Sequence, residues 1–217
     1  MTTENLNNIF AQDEKDILQE VMNIGFGQAS AELAEVIDIF VILSVPDIQV
    51  LKGSDLPDYL CGELQSNSTV NIIEQSFLGK FAGQALLIFP SGAEKDLLTL
   101  FNSDQDYIQS ENDVDMDTLE QETLIEVGNI LIGACIGKIA ELLDDVVTYD
   151  PPRLIAKDLC FDDCNQSPVA AESFVISIRT VFRFEQQNVE GYLFLITNQK
   201  SIDWLKKALL AFLESFG

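Results

Sequence analysis

The stretches Asp16-Ile-Leu-Gln-Glu20-Val-Met-Asn23-Ile-Gly25 and Glu122-Thr-Leu-Ile-Glu126-Val-Gly-Asn129-Ile-Leu131 are two copies of one pattern. The two glutamates are 106 residues apart, and so are the two asparagines. A proline follows each asparagine by 23 positions, at Pro46 and Pro152. An acid-x3-Glu-x2-Asn-x22-Pro pattern that recurs with its long gap intact reads as an internal repeat, which decides the fold before any single element does.

Outward from these stretches the likeness continues. Gly83-Gln-Ala-Leu-Leu-Ile-Phe89 resembles Gly191-Tyr-Leu-Phe-Leu-Ile-Thr197, and both read as buried strands followed by helical segments, Ala93–Phe101 and Ser201–Phe216. Each half reads as helix, strand, strand, strand, helix. The first helix runs from about Asp13 to Val36, with Ile17, Val21, Ile24, Leu33 and Val36 toward the core. One strand follows through Phe40–Val45 and, after Pro46, Ile48–Leu51, and two more fall at Ser68–Leu78 and Gly83–Phe89. The second half opens near Thr118, with Asp117 and Glu120 as a capping box. Its strands fall at Val146–Ala156, Ser173–Phe184 and Val189–Thr197. The expected organisation is therefore a single domain of two repeats, about 13–101 and 118–216. The acidic, polar stretch Asn102–Met116 joins them.

The 217 residues include 12 Lys and Arg against 36 Asp and Glu, a formal charge of −24. So negative a surface repels nucleic-acid phosphates and anionic lipids. There is no His, which excludes His-based triads and His-ligated metal sites. No leader peptide or membrane-spanning run is expected, the longest apolar stretches being taken as Ile37–Val45 and Ala85–Phe89. Cys61, Cys135, Cys160 and Cys164 read as reduced thiols of a cytoplasmic protein, and Cys160-x3-Cys164 as a poor zinc site. Asp113-Val-Asp-Met-Asp117 starts like a calcium loop but lacks its sixth-position Gly and twelfth-position Glu, so no metal site is expected.

On a helix, positions i, i+4, i+7 and i+11 share a stripe. Asp16, Glu20, Asn23 and Gly27 fall on one, and Glu122, Glu126, Asn129 and Gly133 on its counterpart. Both stripes are expected to face solvent. An isolated exposed Glu and Asn is ordinarily a solvated helix face; a matched pair on the surfaces of two diverged halves points to a shared task. Pro46 and Pro152 read as strand-end turns that position the adjoining loops. No activated nucleophile, metal cage or phosphate-binding Gly loop accompanies the pair. An Asn amide can hold one water, and a carboxylate can pair with a partner's Lys. That suits hydrolysis of an acyl phosphate carried by another protein, where positioning is most of the catalysis.

The doubled Glu-x2-Asn-x22-Pro pattern, with Asn23-Ile-Gly-Phe-Gly27, Gly128-Asn-Ile-Leu131 and Pro151-Pro152, resembles the CheC/CheX/FliY chemotaxis phosphatases, and CheC most nearly among them. Asp16, Glu20, Asn23 and Pro46 match the family pattern throughout. The second copy matches at Glu126, Asn129 and Pro152 but has Glu122 where the family has Asp or Ser. The resemblance implies an α+β, pseudo-twofold two-layer sandwich built from an internal duplication. Two long helices would lie side by side on one face of a mostly antiparallel sheet. It implies a substrate, the phosphorylated Asp of a CheY-like response regulator. Asn23 or Asn129 would orient water, and Glu20 or Glu126 would pair with the regulator's Lys. The regulator would supply its own Mg²⁺, so this chain would bind no cofactor. Some members also bind the receptor deamidase CheD, although no residue here singles out that interface. The alternatives are a non-catalytic adaptor for a regulator or CheD, akin to flagellar switch middle domains that lack the Glu/Asn pair, and a self-contained small-molecule enzyme. The Ser201–Phe216 segment, with Ile202, Leu205, Leu209 and Phe212 in helical phase, is expected to face the core.

Overall fold

The computed structural model describes residues 10–37, 40–63, 69–101, 116–160, 174–185 and 189–214. Residues 102–115 of the expected linker Asn102–Met116 lie outside them, as does Cys164, while Met116 belongs to a helix. Five helices and eight strands follow in the order α1 (Gln12–Ile37), β1 (Val41–Leu43), β2 (Asp47–Lys52), α2 (Leu56–Glu63), β3 (Thr69–Leu78), β4 (Gly83–Pro90), α3 (Ala93–Phe101), α4 (Met116–Leu142), β5 (Thr148–Tyr149), β6 (Arg153–Cys160), β7 (Phe174–Phe184), β8 (Val189–Asn198) and α5 (Gln199–Glu214).

The strands form one sheet in the order β1-β7-β8-β4-β3-β5, with β2 also on β7 and β6 also on β3. Every pairing among them is antiparallel. At its centre Leu86 of β4 stands opposite Phe194 of β8. These two occupy equivalent places in the Gly83–Phe89 and Gly191–Thr197 segments, so the pseudo-twofold axis passes between them. The halves are interlaced: β1 and β2 of the first pair with β7 of the second, while β5 and β6 of the second pair with β3 of the first. That exchange is invisible in the element order.

Alternation sets the two faces of the sheet. Ile73, Phe77, Ala85, Leu87, Phe89, Ile176, Ile178, Phe182, Leu193 and Leu195 turn toward the long helices and form one core with Leu18, Val21, Met22, Phe26, Leu124, Val127, Leu131 and Cys135. Ile17 packs at the margin of that core, and Ile24, expected within it, is only half-buried. On the opposite face Val70, Ile72, Leu86, Ile88, Val175, Phe194 and Ile196 meet Leu56 and Tyr59 of α2. This second, smaller cover was not expected from the sequence. Its eight residues are too few to show a helical period.

α1 and α4 pack against each other with opposed directions. Gly25 of α1 lies against Ile139 and Leu142, while Glu32 pairs with Lys138 at 3.1 Å. α5 packs on α1, Lys206 reaching Glu14 at 3.0 Å, and α3 packs on α4. Ile202, Leu205 and Leu209 of α5 are buried and Phe212 partly so, as their spacing predicts. α4 is also long and apolar enough, by length and composition alone, to cross a membrane. The sequence reading overlooked it because Glu126 and the glycines break the visual run. Here Leu124, Val127, Leu131, Ile132, Cys135, Ile136 and Ile139 are buried in the core shared with the sheet and the neighbouring helices. A further correction concerns its start: α4 begins at Met116, so Asp117 lies within the first turn and accepts from Gln121 Nε2 at 2.8 Å. The helix stops where Asp144 takes a positive φ of 51° and Asp145 N–H donates to the Ala140 carbonyl at 2.8 Å.

Candidate functional site

The two stripes emerge on the surface. Asp16, Glu20, Asn23 and Gly27 are exposed along α1, and Glu122, Glu126 and Asn129 along α4, with Gly133 half-buried. The cause is local. On α1 Leu18, Val21, Met22 and Phe26 take the buried positions, which leaves residues 16, 20, 23 and 27 on the far side of the helix. On α4 Leu124, Val127, Gly128 and Leu131 do the same for 122, 126 and 129. Because the helices run in opposite directions, the two Glu/Asn pairs sit toward opposite ends of the helix pair. With Gly25 level with Ile139, Asn129 falls roughly ten to twelve residues along from Asn23, about 15–20 Å at the helical rise. The structure brings Glu and Asn together within each helix and keeps the two pairs apart.

Each pair is backed by its proline. Gln19 Nε2, beside Glu20, donates to the Pro46 carbonyl at 2.8 Å, so the β1–β2 turn is tied to α1. The buried Thr180 of β7 donates through Oγ1 to the Ser44 carbonyl at 2.7 Å, and Ser44 Oγ accepts from Val181 N–H at 3.0 Å. At the other pair the buried Gln75 of β3 donates through Nε2 to the Asp150 carbonyl at 3.1 Å. Arg153, next to Pro152, donates to Glu74 at 2.7 Å. Ser44 and Asp150 each stand two residues before their proline, so both loops are pinned at the same place by the other half's strand.

The pairs differ in one contact. Gln75 Nε2 also donates to Asn129 Oδ1 at 3.1 Å. Thr180, its counterpart, is too short for such a reach, and Asn23 has no hydrogen-bond partner among the described residues. Asp16 accepts from Gln12 Nε2 at 2.8 Å. Glu20, Glu122 and Glu126 are committed to no partner among the described residues, which leaves their carboxylates available to another molecule. Sequence reasoning missed Gln75. Its signal was present, a polar amide at an inward position between Ile73 and Phe77.

The helix glycines divide into two kinds. Gly25 and Gly128 are contact positions, where a Cβ would stand 3.0 Å from Ile139 Cγ1 and 2.8 Å from Ile73 Cγ2. Gly27 and Gly133, on the stripes themselves, have nothing within 4 Å, and Gly137 meets only the Tyr149 hydroxyl at 3.7 Å. A shallow groove lies between α1 and α4, walled by Leu33, Ile130, Gly133 and Gly137 and rimmed by Glu32, Lys138 and Glu141. Cys135 is buried, and burial pushes its thiol pKa up, so it is no nucleophile. Among the described residues no three His, Cys, Asp or Glu side chains gather as a metal cluster.

The fold, and the sequence around the first of the outward Glu/Asn stripes, are similar to those of CheC-like proteins. The model of the CheC-like family matches residues 14–49, the span that holds Asp16, Glu20, Asn23 and Pro46. The CheY-P phosphatase CheC of Bacillus subtilis (strain 168) is 23% identical over 203 residues, 91% of this chain and 94% of that protein. Thermotoga maritima FliY superposes with a TM-score of 0.66 at 17% identity, over 93% of this chain and 98% of that one. The FliM middle domain of Vibro alginolyticus superposes with a TM-score of 0.55 at 10% identity, over 87% and 98%. The resemblance to the CheC/CheX/FliY family is thus borne out, in sequence over the first site and in fold over nearly the whole chain.

Proposed function

We propose that this chain accelerates hydrolysis of the aspartyl phosphate on a CheY-like response regulator, with one site on α1 and one on α4. The observation that carries this reading is the outward projection of Glu20 with Asn23 and of Glu126 with Asn129, each pair beside an anchored proline turn. The similarity to a CheY-P phosphatase supports it.

The roles follow from the chemistry of the two side chains. An acyl phosphate is already activated, and what it lacks is a water held in line with the leaving carboxylate oxygen. Asn23 or Asn129 supplies that hold: its amide N–H₂ donates to an oxygen lone pair, and Oδ1 retains an acceptor site. Glu20 or Glu126 pairs with the regulator's Lys and fixes the docked orientation. Charge on the departing phosphoryl group is neutralised by Mg²⁺ bound to the regulator, so the chain needs no metal of its own. Open space at Gly27 and Gly133 lets a partner's backbone approach the stripes.

A second reading is a non-catalytic adaptor for the regulator or CheD, favoured by the fold shared with a flagellar switch middle domain. The two separate in one assay. A phosphorylated CheY-like regulator with Mg²⁺ is mixed with this chain, and both binding and phosphate release are followed. Binding with accelerated release supports the phosphatase; binding at an unchanged release rate supports the adaptor.

A further inference from the structure

We propose that Gln75 is a positioning residue for Asn129, making the α4 site pre-organised while the α1 site is not; this rests on the phosphatase reading and deepens it. The amide orientations are fixed by elimination. The Asp150 carbonyl can only accept, so the Gln75 atom facing it, at 3.1 Å, is Nε2. The second Nε2 proton then points to Asn129, which must present Oδ1 to receive it, at 3.1 Å. Asn129 therefore turns its N–H₂ outward, the edge that meets a water or phosphoryl oxygen. Asn23, without such a partner among the described residues, rotates between both orientations and must be ordered by the substrate.

The environment of Gln75 argues that the contact is more than packing. The residue is 2% exposed, and its Oε1 is buried with no hydrogen-bond partner among the described residues. A buried unsatisfied acceptor weakens the fold. Thr180 shows that a short hydroxyl suffices to pin the pre-proline loop, since it binds the Ser44 carbonyl at 2.7 Å. Reaching Asn129 is what the longer amide adds. Gln75 belongs to the first half of the chain and Asn129 to the second, so the interlaced sheet builds the α4 site from both halves.

Gln75→Thr copies the arrangement at Thr180, keeping a donor for Asp150 and releasing Asn129. Two readouts test the proposal. By ¹H–¹⁵N relaxation of side-chain amides, Asn129 is ordered and Asn23 mobile in the wild-type chain, and Gln75→Thr makes Asn129 as mobile as Asn23. In the Asn23→Ala background, which works through Asn129 alone, Gln75→Thr lowers kcat for phosphate release by about tenfold to a hundredfold with KM unchanged. Equal mobility of the two asparagines in the wild-type chain would overturn the proposal. So would full kcat in Asn23→Ala/Gln75→Thr, or a loss of the same size when Gln75→Thr is placed in Asn129→Ala. The relaxation result stands apart from turnover: were no variant or wild-type chain to accelerate release, the phosphatase reading would fall while the tether was still measured.

Discussion

Gly128 of α4 sits so close to Ile73 of β3 that a Cβ there would stand 2.8 Å from Ile73 Cγ2. This contact seats the helix directly on the sheet, and the neighbouring residues, Asn129 and Gln75, come within hydrogen-bond distance as a result. Gly27 is the opposite case, with open space where its side chain would be.

Alanine at these two glycines should therefore act with opposite sign. Gly128→Ala forces Ile73 or the whole helix to shift and is expected to destabilise the fold by about 1–2 kcal/mol, after its gain in helix propensity. Gly27→Ala meets nothing and is expected to stabilise by about 0.5–1 kcal/mol. Urea denaturation of the two variants measures both, and equal effects would contradict the packing described.

The paired central strands predict a harsher effect. A Cβ at Gly191 would collide with the Ile88 carbonyl oxygen and the Phe182 ring, one of them backbone and the other fully buried. Neither can yield. Gly191→Ala is expected to cost about 3 kcal/mol or more in stability, visible as a large fall in Tm.

Acid should loosen the end where α5 meets α1. Burial alone raises the Glu14 carboxyl pKa, but donation from Ala11 N–H and Lys206 outweighs it, and the group titrates below its ordinary value. A depressed folded-state pKa stabilises the fold above the unfolded-state value, and that contribution disappears as pH falls through the folded-state value. Glu14→Gln should flatten the acid limb of the stability curve relative to wild type, measured by denaturation across the carboxylate range. An unchanged acid limb would argue against the Glu14–Lys206 contact.

The stripes were legible because they depend only on local geometry. Spacing within a helix fixes which residues share a face, and Glu20 with Asn23 and Glu126 with Asn129 emerged exposed for that reason. Most strand segments were legible from their apolar runs and turn residues, but Val146–Ala156, expected as one strand, is β5 and β6 divided at Pro151-Pro152. Which strands pair was not legible. Val41 meets Phe184 and Val70 meets Leu159 across long stretches of chain, and no local pattern encodes such partners. For the same reason Gln75 was missed: its meaning depends on a helix from the other half. α2 was lost to its brevity, and the apolar character of α4 to the polar stripe running along it.

Charge reversal should act on docking. Glu20→Lys with Glu126→Lys places a cation where the regulator's Lys is expected, and should raise KM for the phosphorylated regulator by about tenfold at low salt, less at high salt. Unaltered KM and salt dependence would remove the glutamates from the interface.

The central claim is that the two asparagines do the work. Release of phosphate from a phosphorylated CheY-like regulator with Mg²⁺ is measured for the wild-type chain and for Asn23→Ala/Asn129→Ala, with circular dichroism showing that the variant is folded. The expected result is acceleration by the wild type and a rate in the double variant equal to the regulator's own. A folded double variant as active as wild type would contradict the account.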